Sequence, residues 1–220
     1  SDIKAHREII DESATEARKK EAEEKVDKQY SLRTDVQKQS EEKIKSFFSS
    51  VEKVLAQDKS EEEKAKLIPR APFKITDEQA NKIASMNAQS TKNLESVCID
   101  GLNKAYEAPI EDGNEQDLKD AKKEYTDFIS SSDLSDSEKA IALNFVNVVE
   151  SNFFYDKEKT DELIKETLKQ VPPVMIKKNQ IVVSEGEPVT AHQLELLGTL
   201  GLLSDSASAI CIYIALGVLV

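Results

Sequence analysis

The chain has 220 residues, 39% of them hydrophobic and 33% charged, with a formal net charge of -12. That length carries one sizeable domain or two small ones, and the composition is that of a folded, well-solvated protein. The acidic balance, with no Lys/Arg-rich stripe free of interleaved acids, excludes nucleic acid as a partner and argues against a broad electrostatic hold on anionic lipid.

In chain order, residues 2–10 read as a short extended segment. Asp11 or Ser13 is placed to cap a helix running through ATEARKKEAEEKV to about Val26, with a thin apolar stripe. Tyr30 marks a break. Thr34 is placed to cap a long helix to about Gln57, whose Val36, Ile44, Phe47, Phe48, Val51, Val54 and Leu55 recur at three- and four-residue spacings. Ser60 begins another turn or two, ended by Pro69 and Pro72, and PRAPFKI (69–75) reads as an extended connector. Thr76 and Gln79 form a T-x-x-Q capping box ahead of a short helix. Ser90 opens a helix through Leu94, Val97, Cys98, Leu102 and Ala105; Pro109 and Gly113 mark a loop. Residues 115–130 and 136–154 are expected to be two helices, the second apolar on most faces and the candidate central core helix. Residues 158–170 add another amphipathic helix. Beyond Pro172 two short β-type runs, Val174–Ile176 and Ile181–Val183, flank a polar KKNQ turn. Thr190 then caps the helix AHQLELLGTL, which Gly201 terminates.

From Ala207 to Val220 the sequence ASAICIYIALGVLV carries no charge. Fourteen helical residues would span roughly 21 Å at about 1.5 Å each, against the roughly 20 residues of a full crossing. The run is apolar on every face and follows a very polar domain, so residues 206–220 are expected to begin a transmembrane helix. The alternative is a buried C-terminal core helix. No signal peptide opens the sequence.

The chemistry-bearing motifs are few. His6 and His192 stand alone, without the H-x-x-x-H or H-E-x-x-H spacing of metal hydrolases, and His192 reads as an exposed residue of a first helical turn. There is no G-x-S-x-G elbow, Walker loop or G-x-G-x-x-G fingerprint. Cys98, on a helix face with Leu94 and Leu102, reads as a core cysteine. With Cys211 in the apolar tail, the two cysteines make no disulfide framework. The acidic clusters Glu61–Glu63 and Glu111–Asp112 lack D-x-D-x-D-G spacing and read as solvated faces; Asp133, Asp136 and Glu138 suit a helix N-terminus. No catalytic, cofactor-binding or metal-ligating residue is assigned.

The informative stretch is VMIKKNQIVVSEGEPVTAHQLELLGTLGLL, residues 174–203. As local structure it is strand, turn, strand and capped helix. Its order resembles the end of the extracellular domain of seven-transmembrane HD-superfamily phosphohydrolases of the cyclic-di-AMP phosphodiesterase type, which closes on an I-x-x-G-x-x-I-V-x-x-G-x-x-V-T segment and a short helix ending in G-L. Ile176, Ile181, Val182, Gly186, Glu187 of the EGEP turn, Val189, Thr190, Gly201 and Leu202 carry the resemblance. Asn179 stands where that family commonly has glycine, and Asn tolerates a left-handed turn. The opening of the chain also resembles that family's D-I-x-A…D-x-x-A-T-x-x-x-R-x-x-A…V-x-x-x-Y pattern, through Asp2, Ile3, Ala5, Asp11, Ala14, Thr15, Arg18, Ala22, Val26 and Tyr30.

The resemblance implies a bacterial membrane protein with this domain on the extracellular side as its regulatory input. It implies a preceding transmembrane helix, a following transmembrane bundle and a cytosolic HD domain that hydrolyses a cyclic dinucleotide with a metal pair. The partners implied are the protein's own transmembrane bundle, its HD domain, the membrane and an extracellular ligand of unidentified chemistry. The fragment itself would be non-catalytic and hold no cofactor. The expected fold is mainly α (α+β). Residues 1–33 and 171–205 would form a small α/β membrane-proximal platform, and residues 34–170 a helical lobe. The competing reading is a membrane-tethered, chaperone-like helical protein that binds polypeptides, for which an exposed apolar groove would speak.

Overall fold

The computed structural model describes residues 1–203; the expected start of a transmembrane helix at 206–220 lies outside the described residues. The elements are, in order, β1 (Ile3–Lys4), β2 (Ile9–Ile10), α1 (Glu12–Glu24), β3 (Tyr30–Leu32), α2 (Thr34–Leu55), α3 (Glu61–Leu67), α4 (Asp77–Ala84), α5 (Ala88–Ala105), α6 (Glu115–Ser130), α7 (Asp136–Leu143), a 3-10 helix (Asn144–Val148), β4 (Phe153–Tyr155), α8 (Lys157–Lys169), β5 (Met175–Ile176), β6 (Ile181–Val183) and α9 (Ala191–Thr199). The fold is mainly α with small two-stranded sheets, about 59% helical. Two compact units form, one from residues 1–28 with 157 onward, the other from residues 29–156. Residues 29–33, expected in the platform, therefore belong to the helical unit, and residues 157–170, expected in the lobe, belong to the terminal unit, where α8 packs on α1.

In the helical unit, α2 turns Ile44, Phe47, Phe48, Val51 and Val54 inward, the stripe its periodicity requires. Phe47 stands edge-on to Phe48 at 5.3 Å, and Phe73 lies 4.5 Å from Phe145, which is 5.2 Å from Phe47. Burying each such ring contributes about 1.5–3 kcal/mol. The α5–α6 crossing is close because Gly101 has no Cβ: one would sit 3.1 Å from the Tyr125 ring and 3.3 Å from Phe128. Tyr125 is fully buried and donates its hydroxyl to Ala142 O at 2.8 Å.

The helix starts follow local chemistry. Reciprocal capping boxes open α3 (Ser60, Glu63), α4 (Thr76, Gln79), α5 (Asn87, Ser90) and α7 (Ser135, Glu138). Ser90 is thus the third residue of α5, not its cap. Arg33 occupies the cap position of α2 without a side-chain capping bond, its guanidinium instead pairing with Asp35 at 3.0 Å, and Thr34, expected there, is the first helical residue.

The expected helix 136–154 is a correction: α7 stops at Leu143, a 3-10 turn runs to Val148, and Phe153–Tyr155 is a strand. The segment NFVNVVESNFFY is rich in β-branched, aromatic and Asn residues, which lose most in a helix. Two tertiary bonds also compete for it. Buried Asn152 accepts the Ile110 N–H at 2.8 Å, and Ser40 donates to Val148 O at 2.6 Å. The freed strand pairs antiparallel with β3 in the register Tyr30↔Tyr155, Ser31↔Phe154, Leu32↔Phe153, which gives Tyr30 a place no local pattern announced.

Candidate functional site: the strand pairs of the chain ends

The terminal unit is built on two short antiparallel ribbons. β1 pairs with β6 through Ile3↔Val183 and Lys4↔Ile181, and β2 pairs with β5 through Ile9↔Ile176 and Ile10↔Met175. β5 and β6 are therefore each paired with the N-terminal segment, and the KKNQ turn carries the chain from one ribbon to the other. Asn179 holds that turn at φ +70°, donates its N–H to Ala5 O at 2.7 Å, and is followed by the Ala5 N–H to Gln180 O bond at 2.9 Å. A left-handed residue is required there, and Asn supplies it as a glycine would. Beneath the ribbons Ala5, Ile9, Ile176, Val182, Val183, Leu196, Leu197 and Leu200 form a separate apolar cluster, flanked by Val189 and Leu203.

Most of the motif residues meet in this unit. Asp2 accepts the Glu185 N–H at 2.9 Å, and Ile3 is a ribbon residue, 39% exposed. Asp11 is buried and caps α1 by accepting the Ala14 N–H at 3.0 Å. Its backbone N–H donates to Val174 O at 2.8 Å, and Thr15 donates to Asp11 O at 2.7 Å while accepting the Val174 N–H at 2.9 Å. Arg18 donates to Pro172 O at 3.2 Å. A run of backbone and side-chain bonds thus stitches the first turn of α1 to the strand entering from residue 172.

Across the same unit, Thr190 and Gln193 close a capping box on α9. Gly186 at φ +84° makes the turn in which the Glu187 N–H reaches Ser184 O at 3.3 Å. Gly201 at φ +71° ends α9, with Gly201 N–H to Gly198 O at 3.0 Å and Leu202 N–H to Leu197 O at 2.9 Å, the paired bonds of a Schellman stop. Tyr30 is the exception among the motif residues: it lies in the helical unit, its ring stacked on Phe153 at 5.3 Å. Partial burial and the Glu111 carboxylate raise its phenol above the ordinary range.

Three side-chain contacts in the terminal unit have no local signal in the sequence. His192 Nε2 lies 2.8 Å from Asp11 Oδ1, with the imidazole half exposed and the carboxylate buried. Ser13 donates to Glu195, and Arg7 donates to Thr199 O at 2.7 Å. All three bind α9 to the first residues of the chain, so the helix face carrying His192, Glu195 and Thr199 is read by residues more than 180 positions away in sequence.

In the helical unit Cys98 is fully buried, and burial pushes its thiol up to about 12. It is a core cysteine, not a nucleophile poised at neutral pH. Among the described residues no group of three or more His, Cys, Asp or Glu is placed to hold a metal ion. No helix among them is long and apolar enough to cross a membrane.

The model of the family described as 7TM-HD extracellular matches residues 1–204, and the chain belongs to that family. It is the extracellular sensory domain of a membrane-anchored 7TM-HD protein. No curated protein and no solved structure matches the chain.

Proposed function

We propose that this domain is the input of a bacterial HD-type phosphodiesterase for cyclic di-AMP, and that the two strand pairs of the terminal unit are the coupling element. The observation that carries the reading is the pairing of residues 3–10 with residues 175–183. The same residues that carry the family pattern tie the start of the domain to the segment leading out of it. A ligand acts on such a device only by binding two arrangements unequally. Moving it from mostly one arrangement to mostly the other takes a differential binding of about 5.5 kcal/mol. The metal pair and the hydrolytic step belong to the HD domain, and no residue of this chain is assigned to them.

The test is the full-length protein in membranes or detergent, assayed for cyclic-di-AMP hydrolysis with the domain intact and with residues 2–203 replaced by a short flexible linker. Hydrolysis by the intact protein, with a rate altered in the replaced form, is expected. Absence of hydrolysis refutes the substrate class, and equal rates in the two forms refute the input role.

A further inference from the structure

The connector 69–75 does more than join α3 to α4. Its Phe73 is buried against Phe145 and Phe47, and Ile75 is buried beside it. Arg70 fastens the connector from outside, donating to Thr76 O at 2.7 Å and Ala65 O at 3.3 Å and pairing with Asp77 at 3.1 Å. Between two inward side chains on a clamped turn, Lys74 is forced outward, and its backbone stands at φ +54°. Glycine would hold this conformation without strain, whereas a long cationic side chain holds it at a cost. Such outliers persist where the surroundings over-determine them and concentrate at binding sites.

Lys74 stands at the lip of a cleft of about 320 Å³, whose floor is Phe73 and Val148 and whose rim includes Lys43, Asn144 and Asn147. No Asp or Glu lines it, on a chain whose formal net charge is -12. Lys43 has one carboxylate neighbour, Glu150 at 3.4 Å, both side chains about half exposed, which is a weak and readily exchanged pair. Lys74 enters no ion pair among the described residues. Asn144 spends its amide N–H on Gln79 at 2.7 Å, which fixes its orientation. An apolar floor with a few convergent polar groups, in the volume range of small-molecule sites, is the ordinary form of a ligand pocket.

We infer that this cleft binds a small organic anion, a carboxylate or phosphate borne on an apolar body, with Lys74 and Lys43 holding the charge and Phe73 and Val148 the body. The inference deepens the sensory reading and rests on it only for biological meaning. The probes are phenyl phosphate, benzoate and the neutral benzyl alcohol, titrated into the 15N-labelled 220-residue chain in a neutral detergent.

Saturable amide shifts at Lys74, Asn144 and Asn147 are expected for one or both acids, with the stronger acid naming the head group, and binding at least about tenfold weaker for the alcohol. Lys74→Gln weakens the acids by about tenfold or more and Lys74→Arg restores them. Lys74→Gly, which fits φ +54° without strain, weakens them equally, so a folding defect cannot produce the loss. Equal binding of the alcohol, absence of saturation at these residues, or full affinity in Lys74→Gln and Lys74→Gly overturns the site. Binding with no change in full-length phosphodiesterase rate refutes the sensory reading and leaves the site standing; a regulated rate with no binding at this cleft does the reverse.

Discussion

Replacing Asp11 is the sharpest perturbation of the terminal unit. The side chain is buried, caps α1 through Ala14, and faces His192. Asp11→Ala removes the cap, costing about 0.5–2 kcal/mol, and the contact with a half-exposed imidazole, adding about 0.2–1 kcal/mol. The sum is about 2 kcal/mol, or roughly 30-fold in the opening equilibrium of α1. Asp11→Asn keeps the cap, because Asn is as good an N-cap as Asp. It loses only the charge presented to His192, for about 0.5 kcal/mol. Hydrogen–deuterium exchange of peptides covering residues 12–24 and 174–183 measures both. Exchange roughly 30-fold faster in Asp11→Ala and about twofold faster in Asp11→Asn is expected. Equal effects of the two variants, or an Asp11→Ala effect under about threefold, would refute the assignment of the Asp11 side chain as the cap of α1 and the partner of His192.

The core makes two further predictions. Burial raises the Cys98 thiol to about 12 and raises the Tyr125 phenol as well. Above the unfolded values of about 8.5 and about 10, the unfolded chain loses protons that the folded one keeps, so their stabilisation is complete below about pH 8.5 and is lost as pH rises. Urea unfolding should therefore show stability falling between about pH 9 and pH 12, and Cys98→Ala should flatten the slope by about 1.4 kcal/mol per pH unit; an unchanged slope contradicts the burial. Gly101→Ala gains about 1 kcal/mol of helix propensity but drives a methyl to 3.1 Å from a Tyr125 ring pinned by its bond to Ala142. Overpacking costs about 1–3 kcal/mol. A net loss in the urea midpoint is expected, and a gain would show that α5 and α6 separate freely.

Much of the helical body is legible in the sequence because its signals are local. Residues 115–130 carry their own cap and stripe, and T-x-x-Q at Thr76 produces the box found at α4. The β3–β4 ribbon is not legible, since Tyr30 and Tyr155 are far apart in sequence and each run is three residues long. The same applies to the stop of α7, which depends on Asn152 and Ser40 finding partners on other elements. In the terminal unit the turn residues Asn179, Gly186 and Gly201 announce their left-handed conformations. The contacts of His192 with Asp11 and Glu195 with Ser13 span more than 180 residues and leave no spacing to read.

The coupling role of the strand pairs is tested most directly by a reversible lock. Ile10 and Met175 face each other across β2–β5, and neither is buried, so cysteines there spare the apolar cluster beneath. The full-length protein with Ile10→Cys and Met175→Cys, in a Cys211→Ser background, is assayed for cyclic-di-AMP hydrolysis oxidised and reduced. A change of about fivefold or more on oxidation, reversed by reductant, is expected of a coupling element. Identical rates in the two states, with the disulfide confirmed by mass, would contradict the claim that these ribbons transmit the domain's output.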